Sequence, residues 1–233
     1  MRKDFTVALL GIVSITVIIL LISLKQYSTQ IDALTKENEQ LSLQTQKLES
    51  EINFSKPKTI KSDQMNYATW GELENIATSF SNDSEGAFKK SWGIYLVNES
   101  KKHELDPYLI YELLKVETGG TFDPKLVGPE TKYGHAYGMS QFMKNTAPWI
   151  ANMADLPYDD ELLFDPYYSI KLSIVYLDFL HQQYNDWNEA LTAYHRGMAG
   201  MEAYKQANGS AKSNYAIKIQ SNAETHRTVA FAN

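Results

Sequence analysis

The sequence predicts a mostly α-helical protein, and three observations lead there. From about Gly86 onward apolar residues recur at helical spacing, as in Phe88, Trp92, Tyr95 and Leu96, and again in Ile170, Ile174 and Leu177. Helix-start signals repeat. Asp106-Pro107 and Asp165-Pro166 each place an Asp N-cap before a proline at the first helical position, and Asp186 with Glu189 has the form of a capping box before Asn188–His195. Few stretches alternate with the period of two that a strand needs. The exception is the Gly-rich segment Val127–Met139, which reads as a loop with a little extended structure. Asn208-Gly209 reads as a helix stop, and Tyr215–Ile219 as a last short helix.

The segments before that region have their own logic. Phe5 to Leu24 is almost wholly apolar and carries no charge, and twenty helical residues span ~30 Å, the thickness of a bilayer's hydrocarbon core. Residues 1–25 are therefore expected to form a transmembrane anchor. A cleaved signal peptide is the alternative, but the run exceeds the ~7–15 residues of a signal core and no small-x-small site follows it. Arg2 and Lys3 precede the run and only Lys25 closely follows, so the positive-inside rule predicts a single-pass cell-membrane protein with everything after Lys25 on the cell-wall side.

Residues 26–56 carry a heptad pattern. Leu34, Leu41 and Leu48 form one row, and Ile31, Asn38, Thr45 and Ile52 a second. This predicts a coiled-coil stalk and a parallel homodimer through residues 31–52, since Asn at one a position favours a parallel, in-register pair. A monomeric helical stalk is the alternative. Ser55–Lys61, with Pro57 and alternating lysines, breaks the heptad pattern, and residues 57–86 read as a linker containing one helix from Met65 to Phe80. Residues 87–233 are the expected catalytic domain.

Composition narrows the chemistry. The 22 basic and 28 acidic residues give a net charge of -6, which speaks against nucleic acid as a partner. The chain has no cysteine, so disulfides, thiolate metal sites and cysteine nucleophiles are excluded. His103, His135, His181 and His226 show no metal-ligand spacing with nearby acids, and neither a metal nor a cofactor is expected.

One carboxylate stands apart. In Pro107–Glu117 the residues Leu109, Leu113 and Glu117 are four apart, so Glu117 continues an apolar face at the helix's carboxyl end. Desolvation by that face and the negative end of the helix dipole both raise its pKa, as a general acid requires. Gly119-Gly120 end the helix and leave space beside the carboxyl. An ordinary Glu in a frayed last turn is the competing view. Glu112, on the same helix, points about the opposite way and is expected on the outer face.

The blocks around Glu117 carry a resemblance. The run Glu117-Thr118-Gly119-Gly120-Thr121-Phe122-Asp123-Pro124 comes first. Gly138-Met139-Ser140-Gln141-Phe142-Met143, then Ala193-Tyr194-His195-Arg196-Gly197, and then Tyr215 with Lys218 follow. In that order they resemble the soluble lytic transglycosylase domain, whose pattern is Glu-Ser, Gly-Leu-Met-Gln, Ala-Tyr-Asn-Ala-Gly and a late Tyr. The resemblance covers about residues 87 to 222.

It implies a lysozyme-like helical fold with a groove for peptidoglycan glycan strands. It implies Glu117 as the acid/base that cleaves the MurNAc–GlcNAc bond and closes a 1,6-anhydro ring, so that the substrate supplies the nucleophile. Thr118, Met139, Gln141, Tyr194, His195 and Tyr215 would line the substrate site. Thr118 stands for the family's Ser, and His195-Arg196 depart from its Asn-Ala. The stretch from Pro124 to Gly138 is longer than the family's. Two other readings stay open. One is a hydrolysing muramidase of the goose-lysozyme kind, with Asp123, Glu130 or Asp165 activating water. The other is a catalytically silent module of an envelope assembly.

Overall fold

The computed structural model describes residues 23–31, 33–36, 41 and 67–232. The chain divides into two compact units, Met1–Ser50 and Glu51–Asn233. In the first, the described residues are helical, and Leu24, Ile31 and Leu34 are exposed. Apart from Ser23 and Leu24, the apolar run 5–24 lies outside the described residues, as does most of the heptad region. Among the described residues no helix is long and apolar enough to cross a membrane.

Among the described residues the second unit is a bundle of eight α-helices: α1 (Tyr67–Asp83), α2 (Lys90–Lys102), α3 (Pro107–Glu117), α4 (Ala147–Met153), α5 (Pro166–Tyr184), α6 (Trp187–Arg196), α7 (Met198–Asn208) and α8 (Asn214–Ala232). Two short strands, β1 (Ala136–Tyr137) and β2 (Phe142–Met143), pair antiparallel, with Ala136 opposite Met143. β1 and the isolated bridges Val127–Tyr137 and Thr131–Gly134 are the little extended structure of the Gly-rich segment Val127–Met139, and β2 lies just beyond it.

The start signals act as their chemistry requires. Asp106 accepts from the Tyr108 amide at 3.0 Å, Asp165 from Tyr168 at 2.8 Å and Asp186 from Glu189 at 2.9 Å. Each carboxylate satisfies one of the amides that a helix start leaves without a partner. Gly209 ends α7 in the left-handed conformation.

Helix α5 is central. Ile170, Leu172, Ile174, Leu177 and Leu180 are all fully buried, so its apolar surface runs around the helix and not along one stripe. A helix apolar on every side belongs in the middle of a bundle, and α2, α4, α6 and the 3₁₀ turn Asp160–Phe164 pack around it.

Two expectations are corrected. The helix expected within a linker over Met65–Phe80 is α1, and it belongs to the body of the unit: Leu73, Ala77 and Phe80 are buried, and Phe80 stacks on Tyr111 with ring centroids 4.3 Å apart. The last helix is not a short one over Tyr215–Ile219 but α8, 19 residues long. Polar ties along α3 set its direction. Tyr215 meets Glu117, Asn222 and His226 meet Glu112, and Arg227 meets Asp106, so α8 runs antiparallel to α3 along its whole length.

Candidate active site

The end of α3 is built by its own sequence. The Gly119 amide donates to the Val116 carbonyl at 3.2 Å and the Gly120 amide to the Lys115 carbonyl at 2.7 Å. With Gly119 at φ +60, this is the paired closure that ends a helix on a left-handed glycine. It makes Glu117 the last residue of α3.

The Thr118 hydroxyl completes the closure. It donates to the Leu114 carbonyl at 2.8 Å and accepts from the Phe122 amide at 3.2 Å. Thr118 is buried, so its side chain holds the turn behind Glu117 and does not face a groove.

Glu117 itself is half-buried, yet its carboxyl lies deep among protein atoms. Burial pushes its pKa up to about 7, against the opposing effect of a hydrogen bond from the Tyr215 hydroxyl. That hydroxyl donates to Glu117 Oε1 at 2.5 Å. Burial pushes the Tyr215 phenol well above its ordinary value, and the Glu117 charge pushes it further, so it stays a donor. No charged group, carboxylate or cation, contributes to the Glu117 shift among the described residues.

Tyr194 comes from α6. Its hydroxyl lies 3.1 Å from Ser173 Oγ and donates to the Ser140 carbonyl at 3.2 Å. Burial raises its pKa, and after burial the Glu117 charge is the largest cause. Tyr194 thus ties α5, α6 and the 138–143 loop together near the carboxyl. His195, the next residue, is exposed and stacks on Tyr215, with centroids 4.5 Å apart and planes 5° apart.

The loop itself needs its glycine. Gly138 has φ +70, and a Cβ there would sit 1.9 Å from the Leu163 carbonyl oxygen. Met139, next in the chain, is fully buried in the core. Gln141 donates through Nε2 to the Gly138 carbonyl at 2.8 Å, which pins its amide to its own loop. The structure therefore brings Tyr194, His195 and Tyr215 together with Glu117. It sets Thr118 and Met139 behind that surface as its support.

The three carboxylates named as water activators differ in their surroundings. Asp123 is exposed and accepts from the Lys125 amide at 2.8 Å, Glu130 is exposed, and Asp165 caps α5.

About 140° around α3 from Glu117 lies a separate cavity of about 520 Å³, bordered by Asp83, Glu112, Lys115, Asn222 and His226. Glu112 is not on an outer face. It is buried, accepts from Asn222 Nδ2 at 3.1 Å and lies 3.3 Å from His226 Nδ1. Sequence spacing missed it because α8 covers that face from more than a hundred residues away.

Asp83, Glu112 and His226 each bring a ligand atom within 4.8 Å of the others, a metal-type juxtaposition that spacing along the chain did not show. The Lys115 ammonium already supplies the cation there, 2.6 Å from Asp83 and 3.9 Å from Glu112, and the Tyr111 hydroxyl adds a bond to Asp83 at 2.6 Å.

The family model of the transglycosylase SLT domain matches residues 95–217, a span that holds Glu117, Tyr194 and Tyr215 together. The chain belongs to the transglycosylase SLT domain family. No curated protein matches it. Among solved structures it is similar to an inactive mutant of lytic transglycosylase Slt from Pseudomonas aeruginosa. Identity there is 19% and the TM-score 0.49, with 67% of this chain and 30% of that one covered. The chain thus spans less than a third of that protein's length. In this SLT-domain chain, α1 and the part of α8 beyond Ile217 lie outside the matched residues. They meet at Phe80 and His226, with ring centroids 5.5 Å apart.

Proposed function

We propose that the chain is a lytic transglycosylase of peptidoglycan. It cleaves the β-1,4 bond between MurNAc and GlcNAc and leaves a 1,6-anhydro-MurNAc end. One observation carries this reading. A single carboxyl, at the family's acid position, has its pKa raised by burial to about 7 and is held by Tyr215, with no second carboxylate acting on it among the described residues.

A carboxyl with that pKa is protonated in about half the molecules at neutral pH, the condition for a general acid that must then act as a base. The steps balance without water. The Glu117 hydroxyl gives its proton to the glycosidic oxygen as the bond to C1 of MurNAc breaks. The resulting carboxylate takes the proton from the same sugar's C6 hydroxyl, and O6 bonds to C1. Glu117 ends as it began. A scheme with two working carboxylates would need a second one poised for water, and Asp165 is occupied as a helix cap.

Mass spectrometry of muropeptides after digestion of peptidoglycan tests the reading. Anhydro ends, lighter by one water than hydrolysed ends, are expected. Reducing ends from the start of the digest would show a muramidase instead, and no cleavage would leave a binding module.

The surroundings of the reaction belong to the same proposal. The apolar run 5–24 and the charges flanking it support a membrane-anchored enzyme with its catalytic unit on the wall side. The heptad rows support pairing of two chains through residues 31–52.

A further inference from the structure

His195 reaches the acid without touching it. Its imidazole lies flat on the Tyr215 ring, centroids 4.5 Å apart and planes 5° apart. The Tyr215 hydroxyl in turn donates to Glu117 Oε1 at 2.5 Å. Three helix ends converge to make this stack: the last turn of α6 brings His195, the first turn of α8 brings Tyr215, and the last residue of α3 is Glu117. His195 is exposed and Tyr215 half-buried, so the imidazole is the layer between one face of the phenol and solvent.

A phenol held at one edge by a single hydrogen bond can still tilt about its own side-chain torsions. A flat partner on its face removes that freedom, because tilting either ring costs the stacking contact. The stack also excludes water from that side of the carboxyl–phenol pair, and burial is the cause of the raised Glu117 pKa.

The charged and titratable neighbours fit a neutral ring. Arg196 adjoins His195 on α6, with its guanidinium over the Tyr204 ring of α7 at 4.7 Å, and Tyr215 faces it from α8. Burial first, and the Arg196 charge second, hold the imidazole below the usual histidine range. Glu117 is faced by Tyr215 from α8 and by Tyr194 from α6.

We propose that His195 is a positioning residue: its ring, stacked flat on Tyr215, locks the phenol against Glu117 and shields the pair from water. The proposal rests on the reading of Glu117 as the acid. The family pattern has Asn at this place, which has no ring to stack, so the device is a property of this chain.

The full-length protein in detergent, acting on soluble glycan strands, tests it through His195→Ala and His195→Phe. The alanine variant should lose about tenfold in kcat, since small misplacements of reacting groups are costly, with KM changed by less than about twofold. Its alkaline pH limb should move to lower pH, because water reaching Glu117 stabilises the carboxylate. His195→Phe, which keeps a flat ring and cannot titrate, should restore both kcat and the limb.

A raised KM in His195→Ala with kcat and limb unchanged would make His195 a sugar contact and overturn the proposal. So would a phenylalanine variant as impaired as the alanine one, which would show that the imidazole nitrogens act. Thermal unfolding of each variant separates loss of fold from loss of position. The underlying reading fails by a different result, an active Glu117→Gln, whatever the His195 variants do.

Discussion

At the scale of single residues, the Glu117 carboxyl is a site where stability is given up for function. Its pKa is raised in the folded protein, so folding is favoured while the group is protonated and disfavoured as pH rises through about 7 and the charge is buried. Glu117→Gln keeps the shape and removes the charge. It should abolish glycan cleavage by at least about a hundredfold. The same variant should unfold at a higher temperature than the parent at pH 8, and at about the same temperature at pH 4, where both side chains are neutral. A melting curve at each pH checks the crossover, and equal stability at both would mean that Glu117 pays no desolvation cost.

Tyr215 acts on the same carboxyl. Its hydroxyl donates to the carboxyl and so pulls the Glu117 pKa down against burial. Tyr215→Phe removes the donor while keeping the ring, so the alkaline limb of kcat/KM should rise from near pH 7 to higher pH, as activity itself falls. This is the opposite shift from the one expected of His195→Ala. A limb that falls in Tyr215→Phe would show that the hydroxyl does not act by stabilising the Glu117 carboxylate.

At the scale of elements, α3 and α8 form a polar-laced antiparallel pair. Glu112 is the middle tie, bonded to Asn222 and beside His226, with the Asp106–Arg227 pair at the far end. Glu112→Gln turns one of its acceptor oxygens into a donor that must face either the Asn222 amide nitrogen or the Lys115 ammonium, both donors. It should lower stability by about 1–3 kcal/mol, the cost of a buried polar group left without its partner, while cleavage by the remaining folded protein stays near that of the parent. Urea unfolding together with activity per folded molecule checks this. An unchanged midpoint would mean that the cluster relaxes around the amide.

At the scale of the whole molecule, the outstanding question is how the catalytic unit is held at its substrate. The proposed anchor at residues 5–24 would hold the unit on the wall side of the membrane. A protease added to wall-stripped cells should remove a carboxyl-terminal tag from the full-length chain. A tag protected until detergent is added would reverse the orientation, and a mature protein beginning near residue 25 would show a cleaved leader.

Much of this molecule was legible in its sequence because the deciding forces are local. Asp N-caps, prolines at helix starts and the Gly119-Gly120 stop act within a turn of their own position, so α3, α5 and α6 and the placement of Glu117 at a helix end followed from composition and spacing. The four sequence blocks likewise singled out Glu117, Tyr194 and Tyr215 as neighbours. What spacing along a chain does not carry is which face a distant helix covers. Glu112 repeats the helical pattern of an exposed residue, and only the docking of α8 buries it; α1 read as a helix within a linker, and only the contact of Phe80 with Tyr111 makes it part of the core. Thr118 and Met139 lie next to the site in sequence but point inward, because hydrogen bonds to Leu114 and Phe122 and the packing of the core decide rotamers that a motif leaves open. The same holds for His195, whose ring became part of the acid's support only when tertiary packing laid it on Tyr215.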